Sequence, residues 1–188
     1  MSSADWRSDA FTPARSFTAG VEGPVCDAAG NLYAVNMERD GTIGKVTPDG
    51  EMSIFTVLPN GGRANGLRID SKGFLIAADY NNHIVHRIDP ASGSFLESLS
   101  KDWSGPPFHQ PNDIGIAGDD TIYFSDPDWT APSGGGRIFM ITPGPARRTV
   151  LLDEGLTTPN GITVSPDNRR VYVGQSRGHN VLVYDRRR

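Results

Sequence analysis

The sequence predicts an all-β protein, a β-propeller of four-stranded antiparallel blades. One phrase occurs four times in the 188 residues: a polar residue, a short alternating apolar strand, a Gly/Asp turn and a second apolar strand. The copies lie 43, 47 and 48 residues apart, and a repeat of about 40 to 50 residues made of short strands is typical of propeller blades. We therefore expect one partial propeller domain over residues 1–188. Its repeats begin at Glu22, Asn65, Asn112 and Asn160.

The first two strands of each repeat follow from period-two patterning. Apolar residues alternate along the first strand, as at Leu67 and Ile69, and this alternation predicts a strand with one buried face. Gly and Asp residues follow, which favour a tight hairpin into the next strand. Second strands are predicted at 32–35, 74–78, 121–125 and 170–173.

A third strand and a fourth strand complete the repeat. Third strands are predicted at 42–47, 84–89, 137–142 and 181–185, and fourth strands at 52–57, 95–99 and 149–152. Proline follows the third strand in three copies. Because proline cannot donate a hydrogen bond to a neighbouring strand, it is expected at such a strand boundary. The fourth copy has no fourth strand, so the sequence holds just under four blades. An open blade edge favours self-association, which we expect here.

Composition limits the classes of partner. The formal net charge is −4 and the basic residues form no long block apart from three C-terminal arginines, so we expect no nucleic-acid partner. No apolar stretch approaches the roughly 18 residues of a membrane span, so we expect no membrane partner and no secretory leader. Cys26 is the single cysteine, which favours a cytoplasmic location. We expect Cys26 to be a small buried residue of its strand.

The four residues that open the repeats are candidate ligands. Glu22, Asn65, Asn112 and Asn160 each precede an innermost strand, so a radial arrangement of blades directs them to one mouth of the central channel. Carboxylate and amide oxygens suit Ca²⁺, Mg²⁺ or Mn²⁺ and tolerate Zn²⁺. An alternative stays open, since Asn at such positions also stabilises turns.

Several segments resemble a known family. These are EGPV (22–25), QPNDI (110–114) with IYFSDP (122–127), and TPNGITVSPDNRRVYV (158–173). They are similar to the six-bladed propellers of the gluconolactonase, regucalcin (senescence marker protein) and drug-responsive lactonase family. The resemblance runs from about residue 22 to residue 185. It implies metal-dependent hydrolysis of a sugar lactone or a similar small lactone or ester.

The resemblance also implies roles for individual residues. Glu22 and Asn160 would ligate a divalent cation, Ca²⁺ in the first place, with Zn²⁺, Mg²⁺ and Mn²⁺ as the other candidates. Asn112 would bind the metal or the substrate. The family carries a further acidic ligand in its fifth blade, which this sequence does not include. A non-catalytic propeller that serves as a binding or assembly surface is therefore the alternative function.

Neighbouring residues complete the candidate site. Asp113 is the carboxylate nearest in sequence to the ligand positions, and it either serves as a partial base or bonds backbone amides of its own turn. His109 either contacts substrate from its loop or faces solvent. Asn65 and Asn112 are expected to hydrogen-bond sugar hydroxyls. Asp79 and Asp126 occupy matching repeat positions, which favours a blade-stabilising turn over catalysis.

Overall fold

The computed structural model describes residues 8–131 and 133–186, which form four antiparallel sheets. Blade 1 contains β1 (Val25–Cys26), β2 (Leu32–Val35), β3 (Thr42–Val46) and β4 (Met52–Val57). Blade 2 contains β5 (Ala64–Ile69), β6 (Leu75–Asp79), β7 (Ile84–Ile88) and β8 (Phe95–Leu99). Blade 3 contains β9 (Ile114–Ile116), β10 (Ile122–Asp126), β11 (Gly136–Ile141) and β12 (Thr149–Leu156). Blade 4 contains β13 (Pro159–Val164), β14 (Arg170–Gln175) and β15 (Asn180–Asp185).

Each sheet is an antiparallel meander in which consecutive strands are neighbours. The predicted blade organisation is therefore confirmed: three blades have four strands and the last has three. The largest difference from the predicted bounds is in β12, which continues to Leu156. A register shift interrupts the pairing of the third and fourth strands in every complete blade. Such bulges increase the local twist of a sheet.

Asp–Gly turns join the first and second strands, as the sequence predicts. The Asp27 carboxylate accepts hydrogen bonds from the amides of Ala29 and Asn31, both at 2.9 Å. Asp70 repeats this arrangement in blade 2 with the amides of Lys72 and Phe74. Gly30 and Gly73 close the two turns with φ of 84° and 85°, a conformation that favours glycine.

The hydrophobic core lies between blades. One cluster joins blades 1 and 2, a second joins blades 2 and 3, and a third joins blades 3 and 4. The second cluster is the most aromatic, because Phe124 and Phe139 stack with ring centroids 5.3 Å apart and Phe108 covers them from the loop before blade 3. Adjacent blades thus stabilise one another.

The exposed strands show where this packing ends. Val181 and Val183 on β15 are 67% and 55% exposed.

Cys26 is exposed, so the expectation of a buried cysteine is wrong. Its neighbour Val25 packs against the cluster between blades 1 and 2, and successive residues of a strand point to opposite faces. Within the described ranges, no helix is long and apolar enough to cross a membrane.

Candidate functional site

The innermost strands bring the repeat-opening residues together. Strand β5 contacts both β1 and β9, and β9 contacts β13. The Gly66 amide donates a hydrogen bond to the Asn112 carbonyl oxygen at 2.8 Å. A Cβ atom on Gly66 would lie only 2.7 Å from the same oxygen, so the approach of blades 2 and 3 requires glycine here. The glycine after Asn65 therefore sets the distance between neighbouring blades at the channel.

Glu22, Asn65 and Asn112 line one cavity of about 630 Å³ at this end of the innermost strands. The structure thus brings together three of the four residues that open the repeats. The other polar and aromatic side chains of the lining come mainly from loops. They include Asn36, Asp40, Arg63, Tyr80, Gln110 and Trp129.

Asn112 carries the clearest signal of a ligand site. Its side chain is 6% exposed. Its backbone is fixed on both sides, because the amide donates to the Ser125 carbonyl at 2.9 Å and the carbonyl accepts from Gly66. Its Oδ1 is buried and has no hydrogen-bond partner, the one such side-chain atom among the described residues. A buried acceptor without a partner is costly, so a ligand that binds this oxygen would stabilise the site.

Two carboxylates line the cavity and they differ in their partners. Asp40 pairs with Arg63 at 3.2 Å and accepts a hydrogen bond from the Thr18 hydroxyl at 3.0 Å. The Glu22 side chain is exposed, and it makes no ion pair or hydrogen bond with the described residues. Glu22 is therefore the carboxylate that is available to a cation.

Asn160 lies outside this lining. Its side-chain amide donates to the Ser176 hydroxyl at 3.1 Å, and its carbonyl accepts from the Ser125 hydroxyl at 2.6 Å. It lines a separate recess on blade 4 with Gln175 and His179. The metal-ligand role predicted for Asn160 is untested by this arrangement and stays a prediction.

Asp113 follows Asn112 but does not line the cavity. Its Oδ2 accepts a hydrogen bond from the Ile162 amide at 3.0 Å, and its Oδ1 pairs with Arg68 at 3.3 Å. Arg68 is on β5 and Ile162 is on β13, so one carboxylate links blades 2, 3 and 4. The partner is an amide of the next blade rather than one of its own turn.

His109 and Gln110 are placed by a buried carboxylate. Asp126 is fully buried, and it accepts hydrogen bonds from the amides of His109 at 2.9 Å and Gln110 at 2.8 Å and from the Arg137 guanidinium at 2.7 Å. Burial raises the pKa of Asp126, and the His109 amide and Arg137 oppose that shift. His109 itself lines a second cavity beside the first.

Asp79 repeats the role of Asp126 in blade 2. It is also fully buried, and its Oδ1 accepts hydrogen bonds from the amides of Arg63, Asn81 and Asn82 at 2.9 to 3.1 Å. The predicted blade-stabilising turns are therefore confirmed. They also matter to the site, because each fixes the backbone of a residue that lines the first cavity, Arg63 in one case and Gln110 in the other.

The donor set fits a hard cation better than a soft one. The described residues contain no cluster of three or more His, Cys, Asp or Glu side chains that could hold a metal ion. The cavity lining instead includes Glu22, whose carboxylate is exposed, and Asn112, whose buried amide oxygen has no partner. Calcium accepts carboxylate and amide oxygens together with water.

Two curated relatives are similar over part of their length. A gluconolactonase of Zymomonas mobilis is 26% identical over 202 residues, which cover 94% of this chain and 56% of the relative. A lactonohydrolase of Aspergillus oryzae is 26% identical over 107 residues, which cover 53% of this chain and 24% of the relative. The chain therefore spans little more than half of the first relative and about a quarter of the second.

Solved structures share the fold. A gluconolactonase of Xanthomonas campestris superposes with a TM-score of 0.73 at 21% identity, covering 95% of this chain and 61% of that structure. A calcium-binding regucalcin of Agrobacterium tumefaciens superposes with a TM-score of 0.69 at 20% identity, covering 89% of this chain and 54% of that structure. A sequence profile described as the SMP-30/Gluconolactonase/LRE-like region matches residues 20–188. The chain belongs to the SMP-30/gluconolactonase/LRE-like family.

Proposed function

We propose that the chain carries the cation-binding and substrate-binding wall of a lactonase that acts on a sugar lactone or a similar small lactone or ester. One observation carries the proposal: Glu22 and Asn112, whose buried Oδ1 has no partner, line the same cavity in a chain of this family. The gluconolactonase relative supports the substrate class, and the calcium-binding regucalcin structure supports the cation.

Glu22 and Asn112 would hold the cation, with Ca²⁺ as the first candidate and Zn²⁺, Mg²⁺ and Mn²⁺ as the others. Asn160 would add a ligand from blade 4. When bound, the cation would polarise the ring carbonyl and lower the pKa of a bound water. Hydrolysis adds water across the ester bond and opens the ring to a hydroxy acid.

The remaining residues of the cavity bind and orient the substrate. Asn65 is half-buried, and its side-chain amide can hydrogen-bond a ring hydroxyl. Trp129 offers an apolar face to the C–H groups of the ring, and the Arg177 guanidinium lies 5.9 Å from its ring centre. The Asp40–Arg63 pair fixes the rim between blades 1 and 2.

Asp113 stays a predicted base. To take that role, its carboxylate would have to exchange the Ile162 amide and Arg68 for a water at the cavity. An Asp113→Asn substitution separates the alternatives. A base would lose hydrolysis with the free energy of unfolding unchanged, whereas a blade link would lose stability.

The test of the proposal is cation binding by calorimetry together with hydrolysis of glucono-δ-lactone at constant pH. We expect Glu22→Gln to weaken Ca²⁺ affinity at least about tenfold, since a charged ligand is removed. Glu51→Gln is the matched control, because Glu51 is an exposed carboxylate of the same blade outside the cavity. Equal Ca²⁺ affinity in the wild-type chain and in Glu22→Gln would refute the proposed site.

An assembly module is the second candidate function. The exposed valines of β15 favour it, because an apolar strand edge without a neighbour pairs readily with another chain. A chain that neither binds a divalent cation nor hydrolyses any lactone, yet self-associates through β15, would have this function instead.

A further inference from the structure

A second cavity of about 580 Å³ opens between blades 2 and 3. Its lining comes from the turn after β6, from the loop before β9 and from the loop after β10. Gln110 belongs to the linings of both cavities, and its side-chain oxygen accepts a hydrogen bond from the Trp129 amide at 3.1 Å. The two cavities are therefore adjacent. Each has a volume within the range of about 300 to 1,000 Å³ that small ligands occupy.

Two histidines, His83 and His109, line this cavity. The His109 Nδ1 lies 3.1 Å from the Gly135 carbonyl oxygen, and the His83 Nδ1 contacts the His109 carbonyl oxygen. A carbonyl oxygen only accepts, so each Nδ1 carries a proton, and in a neutral imidazole the other nitrogen, Nε2, is the acceptor. Neither Nε2 has a hydrogen-bond partner among the described residues.

Asp128 adds a third acceptor. Its Oδ1 accepts hydrogen bonds from the Thr130 amide at 2.8 Å and the Thr130 hydroxyl at 2.6 Å. These bonds hold the pKa of Asp128 below its usual range, so the carboxylate is ionised at neutral pH. The lining thus combines these three acceptors with the cation of Lys101 and with the polar side chains of Asn82, Ser100, Gln110 and Thr130. A ligand that suits it carries several O–H donors.

The floor of the cavity is apolar. Phe108 is 3% exposed and packs edge-on against Phe124, with ring centres 4.9 Å apart. Pro107 lies beside it in the lining. A sugar ring matches such a surface, because its C–H face packs on apolar groups while its hydroxyls donate to acceptors around the rim.

We propose that the second cavity binds a sugar ring linked glycosidically to the lactone ring in the first cavity, so the substrate class is a disaccharide lactone. The lactone half of this inference rests on the proposed function. The sugar-binding part rests on the adjacent cavities, on the acceptors of His83, His109 and Asp128, and on the apolar part of the lining, where Pro107 is the exposed residue.

The first test needs neither a cation nor a reaction. Cellobiitol, a neutral disaccharide alditol, is titrated into a solution of the protein. The ring protons of the four histidines of the protein are followed by NMR. We expect the signals of His83 and His109 to shift. His86, which is buried between Asp79 and Ser98, and His179 on blade 4 are internal controls that should not move. No shift, or equal shifts of all four, would overturn the inference.

A variant that fills the cavity tests the position. Ser100 is an exposed residue of the lining, and Ser94 is an exposed turn residue outside it. We expect Ser100→Trp to weaken cellobiitol binding at least about tenfold and Ser94→Trp to leave it unchanged. The His86 and His179 signals report whether each variant is folded. If Ser100→Trp does not fold, His83→Asn replaces it, since Asn also tolerates the positive φ of 61° at that position.

Two further outcomes would show that the second cavity binds another kind of ligand or does not bind the sugar. Shifts of His83 and His109 with hexanol but not with cellobiitol would indicate an apolar substituent instead of a sugar. A folded Ser100→Trp chain that binds cellobiitol as the wild type does would place the sugar elsewhere. Either result overturns the inference.

Hydrolysis separates this inference from the proposed function. We expect kcat/KM for cellobiono-δ-lactone to exceed that for glucono-δ-lactone about tenfold, and the ratio to fall towards one in Ser100→Trp. Cellobiitol binding without hydrolysis of either lactone would leave the sugar site and refute the lactonase. Equal hydrolysis of both lactones without histidine shifts would refute the sugar site and leave the proposed lactonase.

Discussion

Blade 3 and blade 4 carry the same repeat, yet they are stabilised differently. Blade 3 has four strands and contributes to two of the inter-blade clusters, and its Phe124 and Phe139 are fully buried. Blade 4 has three strands and contributes to one cluster. Its β15 leaves Val181 and Val183 exposed. A propeller blade therefore obtains its burial from its neighbours, and the repeat alone does not supply it.

The same contrast explains the two sides of the candidate site. Asn112 begins blade 3, and Gly66 from blade 2 fixes its backbone. Asn160 begins blade 4, and a Cβ atom on Gly161, the residue after it, would meet no atom beyond its chain neighbours closer than the Asp113 carboxylate at 4.0 Å. Asn112 is buried in the lining of the first cavity, whereas Asn160 is half-buried and lies in a more open recess.

A large-to-small substitution in the core of blade 3 is the strongest test of the difference in stability between blades 3 and 4. Phe124→Ala should lower the free energy of unfolding by about 3 to 5 kcal/mol, because it removes a fully buried ring between blades 2 and 3. Val183→Ala on blade 4 should change it by no more than about 0.5 kcal/mol. Urea denaturation followed by tryptophan fluorescence measures both. Similar losses for the two variants would contradict the difference between the blades.

The exposed edge of blade 4 is expected to mediate self-association of the chain, which is a second test of the difference between the blades. Replacing both Val181 and Val183 by Lys should raise the dissociation constant of the self-associated chain about a hundredfold, since lysines on an edge strand oppose pairing. Sedimentation equilibrium measures the constant. Val57→Lys on blade 1 is the control, because Val57 is also 49% exposed but lies on β4. A wild-type chain that is monomeric at every concentration would refute this edge as an interface.

Local patterns explain why the blades could be predicted from the sequence. Strand β2 has the predicted bounds because alternation and a following turn are properties of adjacent residues. The register of the repeats also brought Glu22, Asn65 and Asn112 to one cavity. What period-two alternation leaves open is which face of a short strand the next blade covers, and Cys26 was misplaced for that reason.

The rest of the cavity could not be found from the repeat. Gln110, Trp129 and Arg63 line it from connections of unequal length, which have no period. One signal was available, because Gln110 belongs to the QPNDI phrase that carries the family resemblance. The partners of Asp113 were also hidden, since Arg68 and Ile162 are distant in sequence and meet it only after the blades pack.

Asp113 tests whether blade 4 depends on its neighbours through polar contacts as well. Asp113→Ala should lower the free energy of unfolding by about 1 to 2 kcal/mol, because it leaves the Ile162 amide and Arg68 without their acceptor. Asp49→Ala, in an exposed turn of blade 1, is the control and should have little effect. Urea denaturation measures the change. An unchanged midpoint in Asp113→Ala would exclude the link between blades.

The smallest expected effect concerns the rim between blades 2 and 3. Asp120 accepts hydrogen bonds from the Ser71 hydroxyl at 2.6 Å and the Ser71 amide at 2.9 Å, and the hydroxyl holds the pKa of Asp120 below its usual range. A carboxyl whose pKa is lower in the folded state stabilises the fold above its unfolded pKa of about 3.9, and this contribution is lost as the pH falls through the folded pKa.

Ser71→Ala should therefore lower the free energy of unfolding by no more than about 0.5 kcal/mol at pH 7, because the contact is exposed to solvent. The difference from the wild type should be smaller at about pH 3 than at pH 7, because the contribution is lost as the pH falls below the unfolded pKa towards the lower folded pKa. Urea denaturation at both pH values measures it. A difference that grows on acidification would mean that Ser71 acts through a group other than Asp120.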